Sequence, residues 1–257
     1  MKLFEFLRRS RPERDVEIHL YALCWNEERM LPYFFRHYDS LVSRYFIFDN
    51  GSTDRSIEML KLNPKVTLGS FKVEGDSFVI AALNHYNECW KQSRGQADWV
   101  IVCNIDEHIY HSDLKGYLSK CTSLGISLIK PEGYNMVSEV FPETNKPLCE
   151  TVTLGMRDNF WDKPEIFNPN KIRKINFAPG RHTAKPKGRI RTPRNVKVKL
   201  LHYKYIGINY LLHRHHELRS GLRPLDIKND YGNQYLWNDE KNIEEYNRIK
   251  ANSISIV

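Results

Sequence analysis

The stretch Trp99-Val100-Ile101-Val102-Cys103-Asn104-Ile105-Asp106-Glu107-His108 decides how the rest of the chain is read. A short unbroken run of Trp, Val and Ile between polar residues predicts a strand buried on both faces, as in a mostly parallel sheet. The run ends in Asn104, Asp106 and Glu107. The carboxyl edge of such a sheet is where departing loops diverge and leave a crevice for a ligand. Adjacent carboxylates repel there and lose hydration, so they need a cation, and hard oxygen ligands near an imidazole suit Mg²⁺ or Mn²⁺. A metal so held can grip a diphosphate. Taken alone, the same pair reads equally well as an ordinary acidic turn after a strand.

Upstream, residues 16–24 alternate and then turn wholly apolar, predicting a first strand that stops at Trp25-Asn26-Glu27-Glu28. Asn26 is placed to cap a helix carrying Met30, Leu31, Phe34 and Phe35, with Glu27 and Glu28 at the surface. Tyr45-Phe46-Ile47-Phe48-Asp49 reads as a second strand, and Asn50-Gly51-Ser52-Thr53-Asp54 as a tight turn leading into a helix. In the crevice above that turn, Asp49 or Asn50 can bond a base or ribose. Neither G-x-x-x-x-G-K-[ST] nor G-x-G-x-x-G occurs, so this is not a phosphate loop.

A third strand over 66–73 and a third helix over 78–90 precede the central stretch; a helix over 114–121 and a strand over 126–129 follow it. Strand and helix alternate four times, which predicts an α/β fold built on a doubly wound, mostly parallel sheet. From 130 to about 170 the periodicity dissolves into Pro, Gly, Asn and aromatic residues, an irregular segment that holds Glu139, Glu150, Asp158, Asp162 and Glu165. Residues 171–199 contain eleven Lys or Arg and no acid. That block is either a grip for phosphate or anionic lipid or a solvated basic loop. A strand over 196–205 carries His202 to where its ring can reach the crevice. The remainder reads as helical, with His213, His215 and His216 at the surface.

A length of 257 residues suits one α/β domain over 1–257, with a basic segment at 1–14 and a helical extension at 206–257. The net charge of +8 favours an anionic partner. Cys24, Cys89, Cys103, Cys121 and Cys149 form no C-x-x-C pair, predicting reduced thiols of a cytoplasmic protein rather than a disulfide frame or zinc site. No run approaches the roughly 20 apolar residues that cross a bilayer. In segment 1–14, Leu3, Phe4, Phe6 and Leu7 precede four arginines, and the apolar part is too short, and interrupted by Glu5, for a signal peptide. It reads as a terminal helix or as a turn lying on a membrane surface.

Leu23-Cys24-Trp25-Asn26-Glu27-Glu28, Asp49 through Asp54, Trp99 through Glu107, and Leu200-Leu201-His202-Tyr203 occur in that order. Together they resemble the N-E, NGSTD, W-hydrophobic-D-x-D-E and L-x-H-Y motifs of a bacterial branch of family-2-like GT-A glycosyltransferases. The resemblance spans about residues 17–205. It implies a GT-A fold with a mostly parallel central sheet flanked by helices, an irregular acceptor-side segment, C-terminal helices and a nucleotide-sugar donor. It implies that the 22–27 turn, with Cys24, Asn26 and Glu27, holds the base and ribose together with Asp49 and Asn50. Asp106 and His202 would hold Mn²⁺ or Mg²⁺ on the donor diphosphate. Asn104 and Ile105 would meet the donor, as would Asn84 and Asn87 from the preceding helix, and Glu107 would support the metal or orient the donor sugar. Asn104 stands where such enzymes have the first Asp of D-x-D.

The implied reaction is a single inverting displacement on a glycan or lipid-linked acceptor, in which a carboxylate takes the acceptor proton. Glu139 and Asp158 of the irregular segment are the candidate bases. The basic segment fits synthesis of a lipid-linked or phosphorylated surface polysaccharide, such as lipopolysaccharide or capsule, in the cytoplasm, peripheral to the inner face of an anionic membrane. Two other readings compete. The basic surplus, paired acids and aromatic residues fit a metal-dependent nucleic-acid enzyme or binder, although no nucleic-acid motif occurs and no such partner is expected. Asn104 in place of an acid fits a catalytically inactive GT-A scaffold.

Overall fold

The computed structural model describes residues 15–257, so the predicted terminal helix or membrane-surface turn at 1–14 lies outside the described residues. In chain order the first half contains β1 (Ile18–Cys24), α1 (Leu31–Tyr38), β2 (Arg44–Asp49), α2 (Ser56–Leu62), β3 (Val66–Ser70), α3 (Phe78–Glu88), β4 (Trp99–Val102), β5 (Glu107–Tyr110) and α4 (Leu114–Ser123). The second half contains β6 (Leu128–Ile129), β7 (Glu132–Ser138), α5 (Leu148–Thr151), β8 (Leu154–Arg157), β9 (Ile166–Phe167), β10 (Ile172–Lys174) and β11 (Lys187–Gly188). It ends with β12 (Lys199–Ile206), α6 (Ile208–Ser220), α7 (Pro224–Lys228), α8 (Asp239–Ala251) and β13 (Ile254–Ser255).

The apolar runs pair side by side into a six-stranded sheet of order β3-β2-β1-β4-β9-β6. Its first four strands are parallel, and β9 runs antiparallel to both of its neighbours. β4 is buried on both faces, as its composition predicts. Trp99 and Ile101 pack with Ile18, Leu20 and Phe34 on one side, and Val100 and Val102 pack with Tyr21, Tyr86 and Trp90 on the other. Helices α1 and α4 supply the first cluster and α3 the second, so the sheet is flanked on both faces. Each fully buried side chain of this kind contributes about 1.5–3 kcal/mol.

The segment predicted to be irregular is mostly so, but it contributes β7 and β8 to a second sheet, of order β13-β8-β7-β12-β5. β7 lacks clean alternation because Asn135 is buried in its middle. Its partner β12, parallel to it, lies far downstream. The chain leaves the first sheet after β4 and enters the second at β5, so residues 103–106 form the junction between them. One apolar cluster joins both sheets, from Ile18 and Trp99 to Met136 and Leu200.

Two local expectations change. Asn26 does not cap α1: it takes a left-handed backbone (φ 52), and its side chain accepts from the Thr53 N–H and donates to Glu217. His215 is not on the surface; it is buried against Asn242 on α8, while His213 and His216 are exposed as predicted. All five cysteines are free. No helix among the described residues is long and apolar enough to cross a membrane.

Candidate metal centre

Asp106 ends the junction between the sheets, and the antiparallel β5–β12 ladder sets Glu107 opposite His202. The Tyr203 N–H donates to the Asp106 carbonyl at 2.8 Å, which pins the junction against β12. Asp106 Oδ2 then lies 3.3 Å from His202 Nε2, with side-chain exposures of 29% and 4%. Ligand-type atoms of Asp106, Glu107 and His202 all lie within 4.8 Å of one another. Burial works to raise the Asp106 carboxyl, but positive charge and hydrogen bonding from the adjacent His202 ring, when that ring is protonated, outweigh it and hold the group below the usual range.

A chain of hydrogen bonds orients the imidazole. Asp158 Oδ1 accepts the Phe160 N–H at 3.0 Å, and its Oδ2 accepts from Asn135 Nδ2 at 3.0 Å. Asn135 therefore presents Oδ1 to His202 Nδ1, 3.1 Å away, which places the ring proton on Nδ1. In the neutral ring the Nε2 lone pair faces the Asp106 carboxylate. Two acceptors at that separation are reconciled by a cation between them or by a second proton on the ring. This is the outer-shell arrangement that orients metal-binding histidines. Trp161 packs on the other side of the ring, with centroids 3.9 Å apart. Asp158, expected as a base, has a hydrogen bond at each oxygen and so positions His202 through Asn135.

Glu107 has a different part from the donor contact expected of it. It is fully buried, and its Oε1 meets Lys163 Nζ. Its Oε2 accepts the Asn104 N–H at 2.8 Å and Arg181 Nη2 at 3.2 Å. The same Arg181 nitrogen reaches Asn104 Oδ1 at 2.9 Å and Glu165 Oε1 at 3.2 Å, and the guanidinium lies over the Tyr86 ring. With both oxygens committed, Glu107 braces the Asn104–Asp106 junction from below. Burial would raise its carboxyl, but Lys163 and Arg181 hold it far below the ordinary range; burial and the Glu107 carboxylate push Glu165 up to about 8. Glu165 therefore keeps the proton of this pair.

Lys163 and Arg181 were not singled out from the sequence. Most of the basic segment is indeed exposed, including Arg173, Lys187, Arg189 and Arg191. Arg181 turns inward beside the buried Ile175 and Phe177, the apolar signal in that block.

Asn104, Asp106, His202, Lys204, Arg214 and Tyr235 line a crevice above the junction. Burial lowers the Lys204 ammonium to about 8. α6 crosses to the end of β1, where Arg214 donates to the carbonyls of Trp25 and Asn26 at 3.0 Å and pairs with Glu27 and Glu217. Asn26 and Glu27 line an adjoining crevice with Asp54 and Tyr210. Burial pushes the Glu27 carboxyl up to about 7, against the pull of Arg214.

Of the remaining expected site residues, Asp49 Oδ2 accepts the N–H groups of Gly51 and Ser52 at 2.9 and 3.1 Å and so closes its own turn. The Asn50 N–H donates to the Cys24 carbonyl at 2.8 Å. Cys24 and Ile105 are buried in the main core, so their side chains face no crevice. Asn84 is exposed on α3, and Asn87 bonds the Phe177 backbone; neither lines the two crevices. Glu139 is exposed after β7, where Lys250 of α8 pairs with it at 2.7 Å, away from the crevice lining.

No family profile and no curated protein sequence matches the chain. Among solved structures, S. aureus TarS 1-349 matches at 18% identity and a TM-score of 0.37, over 60% of this chain and 47% of that one. The same protein in complex with UDP matches at 14% identity and 0.39, over 60% and 47%. Glucosyl-3-phosphoglycerate synthase from Mycobacterium tuberculosis, in complex with Mn²⁺, UDP and glucosyl-3-phosphoglycerate, matches at 16% identity and 0.39, over 65% of this chain and 62% of that one. The chain thus spans less than two thirds of the length of each of these similar structures.

Proposed function

We propose that the protein is a metal-dependent glycosyltransferase that moves a sugar from a nucleotide-sugar donor to a hydroxyl of a glycan or lipid-linked acceptor, with inversion. The observation that carries this reading is the Asp106 carboxylate held 3.3 Å from His202 Nε2 at the carboxyl edge of a parallel sheet, beside a crevice that also holds Lys204 and Arg214. Asp106 and His202 would hold the ion. Two protein ligands leave coordination positions for diphosphate oxygens and water, which suits Mg²⁺, and the imidazole suits Mn²⁺. When bound, such an ion supplies positive charge against a departing diphosphate.

The chain's own residues do the rest. Asn135 and Asp158 keep the His202 lone pair aimed at Asp106. Glu107, Lys163 and Arg181 hold the junction rigid, so the carboxylate needs little reorganisation. Asn26, Glu27, Asp49 and Asn50 surround the ends of β1 and β2, where a base and ribose would sit. Part of the same reading is an anionic membrane beside the exposed Arg189, Arg191 and Arg194. Replacing these three by Ala should abolish sedimentation with vesicles containing anionic lipid, and unchanged sedimentation would remove the membrane from the proposal.

The test of function is thermal unfolding with UDP, GDP, ADP and CDP, with and without Mn²⁺. One nucleotide should stabilise the chain only when Mn²⁺ is present, by about 2.7 kcal/mol at a hundredfold excess over Kd. Asp106→Ala should erase that gain. Metal-dependent stabilisation that survives in Asp106→Ala, or none with any nucleotide in the parent chain, overturns the reading.

A further inference from the structure

The crevice contains a further cation beside the Asp106–His202 pair, the Lys204 ammonium. Lys204 follows His202 by two positions on β12, and both line the crevice, whereas Tyr203 between them is buried in the main core. The ladder is irregular at this point. His202 pairs with Asn135 and Tyr205 with Val137, so β12 carries one residue more than β7 across the span. An extra residue of this kind makes a bulge, which re-aims side chains and recurs beside active sites. Among the described residues the Lys204 ammonium makes no hydrogen bond and no ion pair; the carboxylates of Asp106 and Glu245 act on it only through space. Its ammonium lies 5.4 Å from the centre of the Tyr205 ring and 5.9 Å from that of Tyr235. Lys204 is half-buried, and a lysine drawn from water without a hydrogen-bonded carboxylate is uncommon, so a bound anion is a natural complement to this one.

We infer that Lys204 is a further catalytic residue: it binds the donor diphosphate beside the metal held by Asp106 and His202 and meets the negative charge left on the departing nucleoside diphosphate. This rests on the glycosyl-transfer reading. In that step the bond from the anomeric carbon to the diphosphate oxygen breaks, with its electron pair staying on that oxygen. The acceptor hydroxyl oxygen forms the new bond and releases its proton to solvent. A compact ammonium with three donors suits a diphosphate whose charge moves from a bridging to a terminal oxygen. The aromatic rings of Tyr205 and Tyr235 limit competing hydration around it.

The experiment compares the full chain with Lys204→Met, which keeps the aliphatic stem, and Lys204→Arg, which keeps the charge. Titrations would use Mn²⁺ alone, then the nucleoside diphosphate selected by the thermal screen, and then its monophosphate, each in saturating Mn²⁺. Lys204→Met should weaken the diphosphate about tenfold or more, as for loss of one charge-assisted contact, and leave Mn²⁺ alone and the monophosphate within about twofold. Sugar transfer should lose more in kcat than in KM, and Lys204→Arg should recover part of both. Unchanged diphosphate affinity in Lys204→Met, or equal losses for diphosphate, monophosphate and Mn²⁺, overturns the inference while glycosyl transfer stands. A parent chain that takes none of the four nucleotides removes the underlying reading and this one with it.

Discussion

Replacing Arg181 with methionine keeps an unbranched stem over Tyr86 and deletes the guanidinium shared by Asn104, Glu107 and Glu165. Both glutamates are fully buried. Removing one partner of a buried ion pair costs about 3–5 kcal/mol, because it leaves a charge with neither water nor a counterion. Two features place this site at the low end. Lys163 remains against Glu107, and Glu165, pushed up to about 8 by its burial and by Glu107, is mostly protonated at neutral pH and makes little demand for a cation. The left-handed backbone at residue 181 (φ 60) strains both side chains alike and cancels in the comparison.

The expected loss is therefore about 3 kcal/mol, a large fraction of the roughly 5–15 kcal/mol that holds a typical domain together. Urea unfolding reads it as a midpoint shift of about 1 M if the slope is near 3 kcal/mol/M. The pH dependence has a definite sign. A carboxyl raised in the folded state stabilises fully below its unfolded value, and that contribution is lost as pH rises through about 8. Without Arg181 the ionised form of Glu165 is still less tolerable. The gap between parent and variant should widen from about pH 6 to about pH 9. A loss below about 1 kcal/mol, or a gap that does not grow with pH, would refute the view that this ion network braces the candidate metal centre.

Asn135→Leu breaks the bond that fixes the His202 tautomer and should weaken Mn²⁺ about 10–100-fold in titration with the folded chain; unchanged Mn²⁺ affinity would show that the ring needs no such support. Gly207 joins β12 to α6 at φ 90, and a Cβ there would sit 2.5 Å from the Phe141 nitrogen. Gly207→Ala should therefore lower Tm by about 5 °C or more, from a loss of about 2 kcal/mol, and a shift within scan error would contradict the backbone path described. Glu139→Gln should leave stability within about 0.5 kcal/mol and sugar transfer unchanged, since the side chain is exposed and, among the described residues, pairs with Lys250 alone. A large loss of transfer rate in that variant would return Glu139 to the role of base.

Three of the four parallel strands, β1, β2 and β4, were legible from residues alone because burial on both faces writes a continuous apolar run into a single window of sequence, whereas the edge strand β3 is only half-buried. Trp99 to Val102 is the plainest example, and the acids after it mark the carboxyl edge without reference to anything distant. The second sheet was not legible. β7 has a buried Asn135 where alternation would show an apolar residue, and its stabilising neighbour is β12, encoded more than sixty residues later (Asn135 opposite His202). Arg181 looked like its exposed basic neighbours, and Lys163 like a loop residue, because nothing local reports that two buried carboxylates wait for them.

Residue type and short-range periodicity determined by themselves that this chain builds an α/β sheet with carboxylates at its carboxyl edge. Only the tertiary structure decided which of those carboxylates faces the crevice. The β5–β12 register sets Glu107 opposite His202, and Asp106, in the turn just before β5, comes within 3.3 Å of the same ring. What separates the two acids is their partners: Lys163 and Arg181 take up Glu107, and Asp106 is left to the crevice. The choice between the two acids therefore rests on which partners meet them, and that is settled by packing between segments far apart in sequence.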